Sequence, residues 1–176
     1  MNPVALGVSG RIGSGKTTLA NALVERLACS HAGFGQYVRN VAEGRGLDSE
    51  DRRVLQDLGD ELIAGGWESF CGAVLQSGGY SDGSVVVDGI RHVEAIDTMR
   101  RILAPLPWRL VAIDLDQEAR SHRLQEGGID MDDVGRAEAH PNEREVEAVL
   151  KRADYRISGD LSIDVNRAGF IGGSPV

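Results

Sequence analysis

The sequence predicts an α/β fold: a parallel sheet of about five strands with helices on both faces. Three observations predict it. Short apolar runs at 4–9, 85–88, 109–114 and 155–157 alternate with segments of helical periodicity. The run Val85-Val86-Val87 is apolar at every position, as a strand covered on both faces must be. A glycine-rich turn joins the first run to the first helix, the usual entry to a strand-turn-helix unit.

The elements follow in order. Residues 4–9 form the first strand, and 16–29 repeat Leu19, Leu23 and Leu27 at helical spacing. A short second helix is expected around Tyr37, Val38 and Val41. Asp48 or Ser49 is placed to cap a third, which sets Val54, Leu55, Leu58 and Leu62 on one face and ends at Gly65-Gly66. Residues 67–75 make a further helical segment carrying Phe70 and Val74, and 78–83 read as loop. After the valine strand, 93–103 are helical, 109–114 are a buried strand and 118–126 are a helix. From 127 to 141 the chain is acidic and nearly free of apolar residues, the composition of a lid or a disordered segment. Asn142 is placed to cap a last helix with Val146, Val149 and Leu150 on one side, before a short strand at 155–157. In parallel sheets of this kind ligands bind at the carboxyl ends of the strands.

Composition narrows the function. The 176 residues, 41 % hydrophobic and 26 % charged, suit one domain spanning about 1–165, with a glycine-containing tail at 166–176 expected to be poorly ordered. No stretch approaches the roughly 18 apolar residues of a spanning helix, and the N-terminal run has neither basic leader nor cleavage pattern, so a cytoplasmic protein without a membrane partner is expected. A net charge of −8 argues against a nucleic-acid polymer as partner. Cys29 and Cys71 lie in helical patterns without CxxC spacing and read as reduced thiols. Of 19 basic residues 17 are arginine, whose planar fork suits bidentate phosphate contacts wherever several converge.

The segment Gly10-Arg11-Ile12-Gly13-Ser14-Gly15-Lys16-Thr17 matches GxxxxGK[ST] between a strand and a helix. Gly10, Gly13 and Gly15 let the backbone curl so that several N–H groups face one phosphate chain, backed by the positive end of the helix dipole. Lys16 bridges the outer phosphates, Thr17 offers a hydroxyl to Mg2+, and Thr18 assists at the helix start. Asp88, at the end of an apolar strand beside this loop, is placed to hold the magnesium shell, or to take a proton from a hydroxyl acceptor.

Beyond the phosphate loop, Phe34-Gly35-Gln36-Tyr37-Val38-Arg39 and Val86-Val87-Asp88-Gly89-Ile90-Arg91 follow in an order that resembles the nucleotide-kinase branch of P-loop proteins. That branch includes adenylate kinase, dephospho-coenzyme A kinase and small archaeal-type or phage deoxynucleotide kinases. The resemblance covers about residues 4–160 and implies a three-layer P-loop kinase fold, with acceptor-binding helices at about 34–80 and a lid at about 124–144. It implies ATP as donor, Mg2+ as cofactor and a small-molecule acceptor. Arg39 would hold the acceptor's phosphate, and Arg91 would end the pattern Asp-Gly-Phe-Pro-Arg, which is one residue shorter here. Glu94 or His92 falls where such kinases contact the acceptor base. Arg120 and Arg123, three apart on one helix face, resemble the lid arginines that neutralise the transferring phosphoryl group; Arg136 and Arg144 are candidates for the lid's far side. Solvated surface charge is the alternative for these four. Trp67 and Phe70 suit core or a pocket wall, His140 the surface, and Asp57 and Glu61 an exposed helix face. Ser158-Gly159-Asp160 falls where such kinases read the donor's adenine.

Together these features describe an ATP-dependent phosphotransferase, monomer or homodimer, acting on a small phosphorylated acceptor such as a nucleoside or deoxynucleoside monophosphate. Converging arginines suffice for a phosphate acceptor, which needs no strong base. A kinase of a hydroxyl acceptor such as dephospho-coenzyme A is the rival enzyme, and a non-catalytic nucleotide-binding regulatory module the rival class. The lack of an Asn-Lys-x-Asp run argues against a guanine switch protein, since lysine occurs only at 16 and 151.

Overall fold

A computed structural model describes residues 2–126 and 141–158. Five parallel strands, β1 (Ala5–Gly10), β2 (Ser30–Gly33), β3 (Val85–Asp88), β4 (Trp108–Ile113) and β5 (Tyr155–Ile157), lie in the order β2-β3-β1-β4-β5. The described helices are α1 (Lys16–Leu27), α2 (Phe34–Gly44), α3 (Arg52–Ala64), α4 (Trp67–Ser77), α5 (Val93–Ile102), α6 (Gln117–Glu126) and α7 (Pro141–Lys151).

The central strands β1, β3 and β4 are buried at consecutive positions because their side chains alternate between two cores. Val85 and Val87 join Ala5, Leu110 and the inner faces of α2 to α5, while Val86 joins Leu6, Val8, Val111, Ile113 and the Leu19-Ala20-Leu23 stripe of α1. The sheet is thus the middle of three layers. Ala112 meets Val146 and Leu150 of α7.

Close packing requires glycine at one position of β1. A Cβ on Gly7 would lie 2.6 Å from Trp108 Cζ2 and 2.7 Å from Ile90 Cδ1, and Trp108 and Ile90 are only 4 % and 1 % exposed, so neither ring nor branch can swing away. Gly7→Ala should therefore destabilise the fold by about 2–3 kcal/mol, the cost of an overpacked core, read as a lowered midpoint in thermal or urea unfolding.

Three local expectations are corrected. No strand is expected between α1 and α2, yet Ser30-His31-Ala32-Gly33 forms β2 on the sheet edge, where only Ala32 must be buried and no apolar run is needed. Asp51, rather than Asp48 or Ser49, caps α3: its carboxylate accepts from Arg53 N at 2.8 Å and Val54 N at 3.4 Å, while Asp48 accepts from Glu50 N and Asp51 N in the turn before. Helix α7 starts at Pro141 rather than after an Asn142 cap, since proline at the first helical position forfeits no intrahelical bond. Cys29 lies just beyond α1, which ends at the left-handed Ala28, whereas Cys71 is buried in α4; both thiols are free.

Candidate functional site

The site begins where β1 stops. Gly13 and Gly15 have φ of 77° and 86°, in the left-handed region open to glycine, and a Cβ on Gly10 would strike Ser14 Oγ. This backbone turns 10–17 back over the start of α1, which has no side-chain cap and no acid in its first turn, leaving its N–H groups available to an anion.

Helix α6 fastens onto that loop. Arg120 Nη1 donates to Ile12 O at 3.2 Å, Arg123 Nη1 donates to Ser14 O at 3.3 Å, and Leu124 packs against Gly13, where any added Cβ would meet its side chain at 2.7 Å. Arg120 is buried, unusual for an arginine outside a site or a pairing.

A second wall comes from β3. Asp88 sits opposite Val8 on β1 and Gly33 on β2, beside the base of the phosphate loop. The next residues are tied to β1, since Ser9 Oγ donates to Ile90 O at 2.6 Å and Ile90 N to Val8 O at 3.4 Å, and Gly89 turns with φ 80°. That turn delivers Arg91 toward Lys16.

Between the loop and helices α2, α3 and α4 lies a cavity of about 410 Å³. Lys16, Arg39, Arg52 and Arg91 line it, and Phe34, Trp67, Phe70 and His92 form an aromatic side. The rings brace one another: Phe34 meets Phe70 edge to face at 5.3 Å, and Trp67 lies 5.1 Å from His92. His92 is in turn fixed by Nδ1 to Glu145 Oε2 of α7 at 2.6 Å. In a chain of net charge −8, four cations against the single acid, Glu50, among the described lining residues reverse the local sign around this cavity and favour an anionic occupant.

The electrostatics agree. Burial, then repulsion from Arg91, lowers the Lys16 ammonium to about 8, with Asp88 opposing and Arg52 adding to the fall. Burial and Arg52 likewise lower Arg91. Burial raises the Asp88 carboxyl above its ordinary value, although Lys16 and His31 pull the other way. Asp88 Oδ1 is buried without a hydrogen-bond partner, an acceptor left for something the fold does not supply.

A family model described as an AAA domain (AAA_18) matches residues 6–149. The chain belongs to that AAA-domain family. No curated protein matches the sequence. Among solved structures, TT1252 from Thermus thermophilus superposes with a TM-score of 0.60 at 19 % identity over 92 % of this chain and 91 % of its own. Shikimate kinase from Bacteroides thetaiotaomicron gives 0.54 at 13 % identity over 92 % and 90 %, and that of Aquifex aeolicus 0.52 at 17 % over 89 % and 88 %. At these identities the likeness is one of fold, and it confirms the three-layer P-loop kinase arrangement.

Within this AAA-domain framework the residues singled out from the sequence fall into groups. Lys16, Arg39 and Arg91 share the cavity with Ile12 and Gly13, and Asp88 stands close enough to act on both Lys16 and Arg91. Arg120 and Arg123 hold the phosphate loop itself. Thr17 and Thr18 are exposed on the first turn of α1, and Arg11 reaches outward to Glu147 at 3.9 Å. Of the pair expected at the acceptor base, His92 lines the cavity, whereas Glu94 is exposed on α5 outside the lining. Trp67 and Phe70 are pocket wall, as expected. Glu61 on α3 is exposed but pairs with Arg45 at 2.9 Å. Arg136, His140, Gly159, Asp160 and the tail from 166 lie outside the described residues, as do 127–140 of the expected lid and the side chain of Arg144.

Arg52 was not expected at the site. Its signal was nevertheless present: a cation in the first turn of a helix opposes the dipole and costs stability, so a pair such as Arg52-Arg53 directly after the Asp51 cap asks for a compensating use.

Proposed function

We propose that this chain is a magnesium-dependent phosphotransferase moving the γ-phosphoryl group of ATP to a small phosphorylated acceptor, a nucleoside or deoxynucleoside monophosphate. The observation that carries the reading is the convergence of Lys16, Arg39, Arg52 and Arg91 on one cavity with an aromatic side. Four cations lining one cavity match two phosphate groups approaching each other, and the rings match a planar base.

The phosphate loop holds the donor's phosphates through its N–H groups and Lys16. Arg39, Arg52 and Arg91 orient the acceptor phosphate and offset its repulsion from the donor, which turns an encounter of two anions into an aligned pair. Arg120 and Arg123, already at the loop, exchange carbonyl partners for phosphoryl oxygens without a long movement. Thr17 and the partnerless Asp88 Oδ1 fit a magnesium shell. The ion would supply charge neutralisation at the transferring group.

A second reading, a kinase of a hydroxyl acceptor, draws support from Asp88, whose raised pKa suits a general base, and from the shikimate kinases among the fold's neighbours. ADP release separates the two when assayed with nucleoside monophosphates, dephospho-coenzyme A and shikimate in parallel. Stimulation by monophosphates alone is expected. In the same assay Arg91→Met should raise the acceptor KM about 10–100-fold and leave the ATP KM within about threefold, the loss of one charge-assisted bidentate contact on the acceptor side only. If no acceptor accelerates ATP consumption, a non-catalytic nucleotide-binding module replaces both readings.

A further inference from the structure

The cavity face of α3 is Arg52, Leu55, Gln56, Gly59 and Ile63, one stripe of the helix at helical spacing. Gly59 is its irregularity. It sits in the interior of a 13-residue helix, where glycine is unfavourable relative to alanine. Its φ is not in the left-handed region, and a Cβ built there would meet nothing within 4 Å, so neither backbone conformation nor packing calls for glycine. The missing side chain instead leaves open space beside the helix backbone in the cavity that Phe34, Trp67, Phe70 and His92 also line. Gln56, one turn earlier on the same stripe, brings a side-chain amide with both donor and acceptor capacity to that opening.

We propose that Gly59 and Gln56 determine acceptor specificity: Gly59 forms the floor of a slot that admits a planar heterocyclic ring against the aromatic side, and Gln56 reads the ring's polar edge, so the acceptor is a base-bearing monophosphate and not a bare sugar phosphate. This rests on the reading above that the acceptor is phosphorylated. The arginines grip phosphate whatever is attached to it, so they cannot distinguish a nucleotide from a pentose phosphate; the α3 slot supplies that distinction. Leu55 and Ile63 flank the opening with apolar surface, the lining a ring face prefers.

The test is calorimetric titration of the full chain, with magnesium and a non-hydrolysable ATP analogue present, using a panel of nucleoside monophosphates and ribose 5-phosphate. The wild type should bind its best monophosphate at least about tenfold more tightly than ribose 5-phosphate. Gly59→Leu should erase that preference, keep ribose 5-phosphate affinity within about twofold, and unfold at the same or higher temperature, because leucine is a better helix former. Gly59→Ala should act in the same direction more weakly. Gln56→Leu should narrow the spread of affinities among bases while keeping the preference for a base. A merely structural role for Gly59 predicts the reverse association, with unfolding temperature and affinity falling together. Equal binding of ribose 5-phosphate by the wild type, or undiminished monophosphate binding by Gly59→Leu, would overturn the slot while leaving a phosphorylated acceptor in place. Absence of binding by every phosphorylated compound would overturn the acceptor reading and the slot with it.

Discussion

Replacing Lys16 by methionine should lower turnover about 10²–10³-fold, the range seen when one preorganised charge is removed from a transition state, while the unfolding temperature holds or rises. The two effects share a cause. Lys16 is placed among Arg91 and Arg52 with Asp88 as its main counter-charge, and burial lowers its pKa from 10.5 to about 8. A lysine whose folded pKa lies below its unfolded value destabilises the fold at every pH where it stays charged, and that penalty is relieved only as the pH rises from about 8 toward 10.5. Methionine removes the penalty at neutral pH and keeps most of the side-chain volume. Circular dichroism melting and steady-state kinetics on one preparation check both halves, and full activity in the variant would contradict the mechanism.

The same shift gives the wild type a pH signature. Donor affinity should weaken as the pH rises through about 8, because the free protein then surrenders the proton that the phosphates require. A bound triphosphate brings negative charge to the ammonium and restores its proton, so binding near pH 8 should take up protons. Calorimetry in two buffers of different ionisation enthalpy measures that uptake directly.

What the sequence reveals about this molecule depends on how local the determinant is. The phosphate loop is legible because eight consecutive residues, Gly10 to Thr17, carry both the backbone freedom and the chemistry. The positions of Asp88 and Arg91 are nearly as legible, Asp88 because it closes an all-valine strand beside that loop and Arg91 because Asp88-Gly89-Ile90-Arg91 resembles a nucleotide-kinase segment. β2 escapes detection because an edge strand beside one neighbour needs no apolar run, and Ser30-His31-Ala32-Gly33 has none. Arg52 and the Phe34-Trp67-Phe70 side of the cavity are brought together only by the packing of α2, α3 and α4. Spacing pairs Arg120 with Arg123 on α6, but only tertiary contact turns them onto the carbonyls of Ile12 and Ser14. Gly59 reads as an ordinary weak point in a helix until the space beside it is known.

Asp88→Asn should lower turnover about 10²-fold, near the lower end of the range for one preorganised electrostatic contact, and the conditions that restore activity identify what the carboxylate does. Asparagine keeps the shape and removes the charge, leaving Lys16 without the influence that holds its pKa up, so donor binding should weaken at pH 8 more than at pH 7. If Asp88 serves the metal shell, raising the magnesium concentration recovers part of the rate with any acceptor. If it takes a proton from a hydroxyl, magnesium recovers nothing and phosphorylated acceptors are spared. The wild-type pH profile supplies an independent check. Burial raises the Asp88 pKa, so the carboxylate is lost as the pH falls through a value above its ordinary one, and the acid limb of kcat should lie above the range of an exposed aspartate. The asparagine variant should lack that limb in either case. A limb that survives unchanged would assign it to another group and remove Asp88 from the reaction, leaving Lys16 and the arginines to align the two anions without a protein carboxylate.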